Sequence, residues 1–269
     1  MIVAVFLSFA LTTQSATPAP CTGIDTPSAS TAERRAALDA CATVNATTPI
    51  EFLLSEMSRL TICDRRAMNL ADVAAAWNPK ELASESVVTR LLAIASGQGG
   101  ATTGAQIVAV RALLAIPADL LPTGTLPPTP VVFEITAVPS KMAYDLKAFS
   151  VAPGQVVQIN FHNPDALEHN LLVVAPGALA EMGVAGDRMG TSPDGKLKEF
   201  VPSSPKVLAV MGIVEPGKSQ TFWFVAPQKP GTYPYVCTYP SHWRTMNGKM
   251  KVVAPPQPAQ TPPQPVAAH

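Results

Sequence analysis

Three side chains that bind soft metal ions lie within ten residues of one another late in the chain. Cys237 supplies a thiol, His242 an imidazole and Met246 a thioether. A thiolate and two imidazoles with a weak axial thioether suit copper that alternates between Cu(I) and Cu(II), because sulfur stabilises the reduced ion and nitrogen the oxidised one. The spacing therefore predicts a redox-active copper loop that lacks only one imidazole.

The second imidazole must come from elsewhere, and the chain has only four histidines in all. His269 ends a proline-rich tail, and His162 lies beside a turn signal. His169 directly precedes the apolar run at residues 171–174, at the mouth of a predicted strand. We therefore expect His169 to be the second nitrogen ligand.

A second methionine competes for the axial position. Met250 follows Met246 by four residues, within a segment whose side chains alternate between polar and apolar. Because this alternation is typical of a strand, Met250 is expected to point into the core. Met246 is the predicted axial ligand.

These residues resemble the type 1 copper centre of azurin. The resemblance rests on Glu168-His169-Asn170 and on the later loop, with four residues between Cys237 and His242 and three between His242 and Met246. Plastocyanin-like proteins have a shorter interval between the cysteine and the histidine. The resemblance covers roughly residues 130–254 and implies a helical flap over residues 182–190.

The resemblance also implies how residues around the ligands act. It implies that Asn170 ties the ligand loop by a hydrogen bond and that backbone amides near the sulfur of Cys237 tune the reduction potential. It places the carbonyl of Glu168 opposite Met246, although azurin has glycine at that position. The disulfide that azurin carries within its domain is absent.

The expected route of the electron passes through His242. The resemblance implies that the outer edge of this ring lies near the surface, with His169 more enclosed. A partner is then expected to dock over Tyr239, Pro240 and Trp243, through a small patch suited to brief encounters.

Composition limits the class of partner. The chain has 269 residues, no net charge and only 14% charged residues. Without a basic run, we expect no nucleic-acid binding and no strong binding to a membrane surface. The expected partners are redox proteins, such as a c-type cytochrome or a respiratory or dehydrogenase complex.

The predicted fold class is a mainly β protein, a Greek-key sandwich of the cupredoxin type preceded by a small all-α bundle. Turn signals separate eight predicted strands, at residues 131–138, 144–151, 155–161, 170–174, 207–214, 219–225, 232–236 and 249–253. The predicted divisions are a signal peptide (1–16), a flexible lead-in (17–30), a helical domain (31–118), a proline-rich linker (119–130), the copper domain (131–254) and a disordered Pro/Gln-rich tail (255–269).

The helical domain is predicted from its start signals. Capping patterns begin at Ser30, Thr48, Asn69 and Asn78, and the last helix before the linker covers residues 105–116. This pattern indicates four or five short helices, with one helix continuing from Asn78 to Gly97. The segment contains no motif from which a function can be predicted.

Compartment and cysteine pairing are linked. The apolar run at the N-terminus is typical of an export signal, which predicts a periplasmic or secreted protein, although an uncleaved anchor stays open. In an oxidising compartment two of the remaining cysteines, Cys21, Cys41 and Cys63, should pair. If the first two helices are antiparallel, Cys21 with Cys63 is weakly favoured.

The leading functional hypothesis is a one-electron carrier rather than an enzyme. A multicopper oxidase or nitrite reductase would need more histidines, and a binuclear copper site would need a second cysteine in the loop. Copper storage or delivery stays open, as does a partner-docking role in which the copper domain is accessory. Metal content together with redox cycling distinguishes the carrier from these alternatives.

Overall fold

The N-terminal part of the chain is helical because polar start signals precede apolar residues of helical period. The computed structural model describes residues 19–26 and 28–254. Six α-helices precede the first strand in this part: α1 (Thr31–Val44), α2 (Pro49–Met57), α3 (Arg65–Ala75), α4 (Pro79–Leu82), α5 (Glu85–Ala95) and α6 (Thr103–Leu114). A 3₁₀ turn, Ala19–Asp25, lies before α1.

Helix capping explains most of these boundaries. Ser30 and Glu33 form the predicted capping box of α1, and Thr48 caps α2. The predicted start at Asn69 is wrong, because Asp64 caps α3 by accepting a hydrogen bond from an N–H in its first turn, which places Asn69 inside the helix. The helix predicted to continue from Asn78 is also interrupted, because Ser84 adopts an extended conformation between α4 and α5.

The disulfide joins Cys21 to Cys41, so the pairing of Cys21 with Cys63 that the sequence favoured is wrong. The 3₁₀ turn folds back along α1, which brings the two Cα atoms to 5.3 Å. Cys63 is instead a buried thiol that contacts the carbonyl of Trp223. Part of the predicted flexible lead-in is therefore fixed to α1.

The rest of the described chain is a two-sheet sandwich. Its strands are β1 (Val131–Val138), β2 (Ala143–Tyr144), β3 (Ala148–Val151), β4 (Val156–Asn163), β5 (His169–Val174), β6 (Val207–Val214), β7 (Lys218–Val225), β8 (Gly231–Val236) and β9 (Asn247–Val252). One sheet has the order β2-β1-β4-β7 and the other β3-β9-β8-β5-β6. Helix α7 (Leu179–Met189) connects β5 to β6. The predicted class, a β-sandwich preceded by an all-α bundle, is confirmed.

One predicted strand is split between the two sheets. The segment predicted at residues 144–151 forms β2 in one sheet and β3 in the other. Asp145 makes the bend, because its carboxylate accepts hydrogen bonds from the backbone N–H groups of Thr136, at 2.7 Å, and Leu146, at 2.6 Å. The described chain therefore has nine strands instead of eight.

Aromatic rings from both sheets fill the core below the loop end of the sandwich. Tyr144 of the first sheet packs edge-on against Phe161 and tilted against Tyr235 of the second sheet. All three side chains are fully buried. This packing fixes the distance between the sheets and supports the loops that follow their strands.

The helical bundle covers the side of the sandwich where the edge strands β6 and β7 meet. The backbone N–H of Val210 in β6 donates to the carbonyl of Cys63 at 2.7 Å. On β7, the Arg111 guanidinium of α6 lies 4.8 Å from the ring centre of Trp223. The helices therefore protect edge strands that would otherwise present unpaired backbone groups.

Several predictions fall outside this description or stay untested. Residues 121–130 contain no helix or strand, but the predicted domain boundary at 119–130 stays a prediction. The predicted signal peptide (1–16), the tail (255–269) and His269 lie outside the described residues. Within the residues described, no helix combines the length and apolar character needed to cross a bilayer.

Candidate metal centre

Two neighbouring strands bring the predicted ligands to one end of the sandwich. His169 is the first residue of β5, and Cys237 directly follows β8. Because β5 and β8 pair antiparallel, with Leu172 opposite Val236, the start of one strand lies beside the end of the other. His242 lies in a 3₁₀ turn of the loop that leads on to β9.

Three donor atoms converge in the interior. The Nδ1 atoms of His169 and His242 lie 3.2 Å apart, and the Sγ of Cys237 lies 4.0 Å and 3.6 Å from them respectively. The side chains are buried, with His242 only 3% exposed and the other two fully enclosed. Among the described residues, these three form a group able to hold a metal ion.

The separations fit a trigonal ion. Bonds of about 2.0 Å to nitrogen and about 2.3 Å to sulfur place the donors of a trigonal site about 3.5–3.8 Å apart. The three separations in the structure differ from that range by no more than a few tenths of an ångström. One thiolate with two imidazoles is also the donor set that suits copper.

The two candidate axial methionines occupy different places. Both are fully buried. The Met246 carbonyl accepts a hydrogen bond from the N–H of Cys237 at 3.0 Å, so this residue closes the ligand loop. Met250 lies on β9 opposite Tyr233, about 13 Å further along the strand at the usual rise per residue. The axial role of Met246 stays a prediction. The position of Met250 along β9, opposite Tyr233, supports Met246 rather than Met250 as the axial ligand.

Asn170 holds the start of the ligand loop, as the resemblance implied. Its Oδ1 accepts a hydrogen bond from the backbone N–H of Thr238 at 2.7 Å, and its Nδ2 donates to the hydroxyl of Thr238 at 3.0 Å. The backbone N–H groups of Asn170 and Tyr239 point at the sulfur of Cys237. Burial raises the pKa of the Cys237 thiol to about 12, and these two N–H groups oppose the rise.

Asp165, which no sequence pattern singles out, orients His169. The Nε2 of His169 lies 3.2 Å from the Asp165 carboxylate, which can only accept a hydrogen bond when ionised. The proton of the neutral ring is therefore on Nε2, which leaves Nδ1 free for a metal. Burial opposes ionisation of Asp165, yet hydrogen bonds from Ser140, Ala166 and His169 hold its pKa below the usual value.

Both ligand histidines are neutral at pH 7. Burial lowers the pKa of His169, although Asp165 opposes this effect. At His242 burial is again the main cause, the nearby His169 adds to it, and the pKa falls to about 4. Neutral imidazoles can bind a metal without first losing a proton.

Helix α7 covers the ligand loop, which matches the helical flap that the resemblance implied. A Cβ added at Gly183 would collide with the ring of Trp243, and one added at Gly186 with the carbonyl of Thr238. Asp187 fastens the contact by accepting hydrogen bonds from the backbone of Ser241, at 2.6 Å, and from the indole of Trp243, at 2.9 Å. This role of Asp187 has no signal in the sequence.

Two other candidates take positions outside the donor group. The Glu168 side chain pairs with Lys196 at 3.1 Å, and the axial role of its carbonyl stays a prediction. His162 is exposed on β4, where it contacts Glu134 and Ser219. The preference for His169 over His162 therefore agrees with the positions of the two rings.

A family match agrees with this geometry. Residues 131–253 match the copper-binding proteins of the plastocyanin/azurin family. Together with the buried group of His169, Cys237 and His242, this match assigns one type 1 copper to the chain.

Two relatives and one solved structure are similar to part of this chain. Auracyanin-A of Chloroflexus aurantiacus is 30% identical over 125 residues, which cover 46% of this chain and 75% of auracyanin-A. Auracyanin-B of the same organism is 30% identical over 122 residues, 44% of this chain and 51% of that protein. The solved structure of auracyanin A, described as a "blue" copper protein, covers 46% of this chain and 100% of its own, at 30% identity and a TM-score of 0.42. On the match to auracyanin-A, this chain belongs to the plastocyanin/azurin family of copper-binding proteins.

Proposed function

We propose that this protein is a one-electron carrier that shuttles between redox partners outside the cytoplasm, with Met246 as the axial ligand. The observation that carries the proposal is the buried group formed by the thiol of Cys237 and the two neutral imidazoles of His169 and His242. Bound copper supplies the one-electron couple between Cu(I) and Cu(II). No substrate has to reach this enclosed group, which supports a carrier rather than an enzyme.

The residues around the donors hold them still while the electron moves. Asp165 fixes the ring of His169, Asn170 fixes the backbone after Cys237, and α7 presses on the loop from outside. Donor atoms that are fixed by folded protein need little rearrangement when the charge of the ion changes. A site whose donor atoms move little favours fast electron exchange over catalysis or metal release.

The compartment is proposed from the disulfide. Cys21 and Cys41 are joined, and disulfides persist in secreted and periplasmic proteins but are rare in the cytosol. An oxidising compartment also agrees with the export signal that the sequence predicts. We therefore place the protein in the periplasm or outside the cell.

The docking surface proposed here differs from the one expected from the sequence. Trp243 is half-buried and packs against Gly183 of α7, so it is not a freely exposed centre for a partner. Met142 and Leu167 are exposed apolar side chains, each 40% accessible, on loops next to the ligands. The Met142 carbonyl accepts a hydrogen bond from Thr245 of the ligand loop at 2.9 Å, and Leu167 precedes His169 by two residues.

The partner is proposed to be a redox protein, such as a c-type cytochrome or a respiratory or dehydrogenase complex. His242 is only 3% exposed, so less of its ring edge reaches the surface than was expected from the sequence. We propose that the electron passes through this edge beneath a small apolar patch, which suits a brief encounter. Because the chain has no net charge, long-range attraction contributes little to the encounter. The exchange rate is therefore expected to depend only weakly on salt.

Electron exchange between copies of the protein, measured at several salt concentrations, tests this proposal. Met142→Glu and Leu167→Glu should slow exchange at least several-fold without altering the copper spectrum. Val132→Glu is the matched control, because Val132 is 48% exposed and lies six residues, about 20 Å, before the end of β1. Equal rates in all three variants and the wild type would contradict this docking surface, and a protein that binds copper without redox cycling would contradict the carrier.

A further inference from the structure

Glu199 links the helical bundle to the ligand loop. Its carboxylate pairs with Arg65, the first residue of α3. On the other side, its backbone carbonyl accepts a hydrogen bond from the Nδ2 of Asn170 at 2.8 Å. Asn170 in turn holds Thr238, the neighbour of Cys237. A continuous set of contacts therefore runs from α3 to the thiol ligand.

The backbone at this link is strained. Glu199 and Phe200 have φ angles of +53° and +55°, the left-handed region that side chains other than glycine rarely adopt. Such conformations are unfavourable and persist only where the surroundings hold them. The Glu199 carboxylate is held closely, because it accepts the N–H of Ile213 at 3.2 Å and a Cβ on Gly212 would approach it to 2.5 Å.

The strained pair, Glu199 and Phe200, also contacts the imidazole side of the metal centre. The ring of Phe200 packs edge-on against Tyr239, with centres 4.9 Å apart. Tyr239 in turn lies 4.7 Å from the ring of His242. The strained pair therefore supports the thiol side through Asn170 and the imidazole side through Tyr239.

We propose that Glu199 is a positioning residue through which the helical bundle sets the geometry, and thus the reduction potential, of the copper centre. Arg65 holds the carboxylate in place, and the carboxylate keeps the left-handed backbone from relaxing. Without Arg65, the Glu199 carbonyl shifts away from Asn170, and the N–H groups near the sulfur of Cys237 shift with it. The copper readouts of this inference rest on the proposed function, and a metal-free readout does not.

Stability alone is a poor measure of this link. The side chains of Arg65 and Glu199 are 41% and 19% exposed, and ion pairs that are open to solvent contribute little to folding stability. Removing this ion pair should therefore alter the copper centre while the free energy of unfolding changes little. This contrast separates a positioning role from a merely structural one.

The test compares Arg65→Met, Glu199→Gln and the double variant with wild type, all as full chains. Reduction potential and the Cu(II) EPR spectrum are measured for each, and Arg65→Lys tests partial rescue. Arg90→Met is the matched control, because Arg90 pairs with Glu51 within the bundle and has no part in the link. Gly212→Ala provides an independent disturbance of the same link, because the added methyl group would push the Glu199 carboxylate out of its position.

Both single variants should shift the potential and the EPR spectrum in the same direction, and the double variant should shift them no further than the larger single effect. Arg90→Met should behave as wild type. Wild-type potentials and spectra in both Arg65→Met and Glu199→Gln, or additive shifts in the double variant, would overturn the inference.

A measurement on the metal-free protein separates this inference from the proposed function. The backbone N–H of Thr238 donates to Asn170, so its hydrogen exchange reports the state of the link. Exchange should be at least several-fold faster in Arg65→Met than in Arg90→Met. Equal exchange would contradict the link even in a blue protein, whereas faster exchange in a protein that forms no blue copper site would support the link and refute only the proposed function.

Discussion

The two ligand histidines are buried imidazoles that carry no charge at neutral pH. His242 has its pKa lowered to about 4, chiefly by burial, and burial also lowers the pKa of His169. The hydrogen bond from His169 to Asp165 keeps Nδ1 turned toward the sulfur. At the residue scale, the metal-free site is therefore ready to bind an ion. The same lowered pKa values make the folded protein less stable in acid.

The first prediction concerns that acid sensitivity. As pH falls from about 6.5 toward about 4, the unfolded chain binds a proton at this histidine while folded His242 stays neutral, so the metal-free protein loses stability. The loss should approach about 1.4 kcal/mol per pH unit for one histidine. Denaturant unfolding at pH 7, 5 and 4 measures it. His242→Asn should weaken the dependence, and an unchanged dependence in that variant would contradict the pKa of His242.

The second prediction separates the two methionines. Met246→Gln should shift the reduction potential and the EPR spectrum while copper stays bound, because axial ligands tune a type 1 site more than they hold the ion. Met250→Leu should do neither, since Met250 lies on β9 opposite Tyr233. A larger spectral change in Met250→Leu than in Met246→Gln would show that the axial assignment is wrong.

Ligand types and spacing were readable in the sequence because the loop places Cys237, His242 and Met246 within a few residues. The preference for His169 followed from its place before an apolar strand. Asp165 was not predicted, since its contact with His169 depends on the turn at the end of β4. A carboxylate four residues before a ligand histidine is too common to carry a prediction by itself.

At the scale of elements, α7 and the ligand loop act as one packed layer. Gly183, Gly186 and Gly190 face the loop, and a Cβ at Gly190 would come within 2.7 Å of Pro240. Glycines in a helix usually lower its stability, so their value here lies in close approach. Asp187 then holds the loop with hydrogen bonds to Ser241 and Trp243.

The third prediction tests this close packing. In an isolated helix Gly186→Ala would add about 1 kcal/mol of stability. Here the methyl group meets the carbonyl of Thr238, so the variant should instead lose about 1–3 kcal/mol and alter the copper spectrum. Unfolding and absorption are compared with Val184→Ala, an exposed position of the same helix that should change stability by no more than about 0.5 kcal/mol. A more stable Gly186→Ala with an unchanged spectrum would contradict the packing.

Most strands were predictable from alternation and turn signals, but contacts between distant segments changed two elements. Asp145 divides a run that reads as one strand, because it binds the backbone of Thr136 across the sheet. The real cap of α3 is Asp64, whereas Asn69 resembles a start signal and instead donates to the carbonyl of Ile24. Both errors have the same cause. The sequence around a polar residue looks the same whether its side chain caps a helix or binds the backbone of a distant segment.

At the scale of the whole molecule, the helical bundle packs directly against the β domain. It covers the β6 and β7 edges through Cys63 and Arg111, and Arg65 reaches Glu199. The sequence predicted both parts but not this contact, since charged and apolar residues on helix faces do not specify what they meet. The bundle therefore contributes to the stability of the β domain.

The fourth prediction is that a fragment beginning near Pro128 folds and binds copper, because the nine strands of the described residues and the donor residues lie after it. It should be less stable than the full chain, since uncovering each large apolar side chain, such as Trp223, costs about 1.5–3 kcal/mol. Metal analysis and unfolding of the two proteins measure both effects. Loss of copper binding in the fragment alone would show that the bundle completes the β domain.

The visible spectrum of the purified chain after addition of Cu(II) tests the copper centre most directly. With the sulfur of Cys237 4.0 Å and 3.6 Å from the Nδ1 atoms of His169 and His242, we expect an intense blue band from charge transfer between thiolate and copper. The conservative variant Cys237→Ser should lose this band while the protein stays folded. A colourless Cu(II) complex of the wild type, or a blue band that persists in Cys237→Ser, would contradict the assignment of the copper centre.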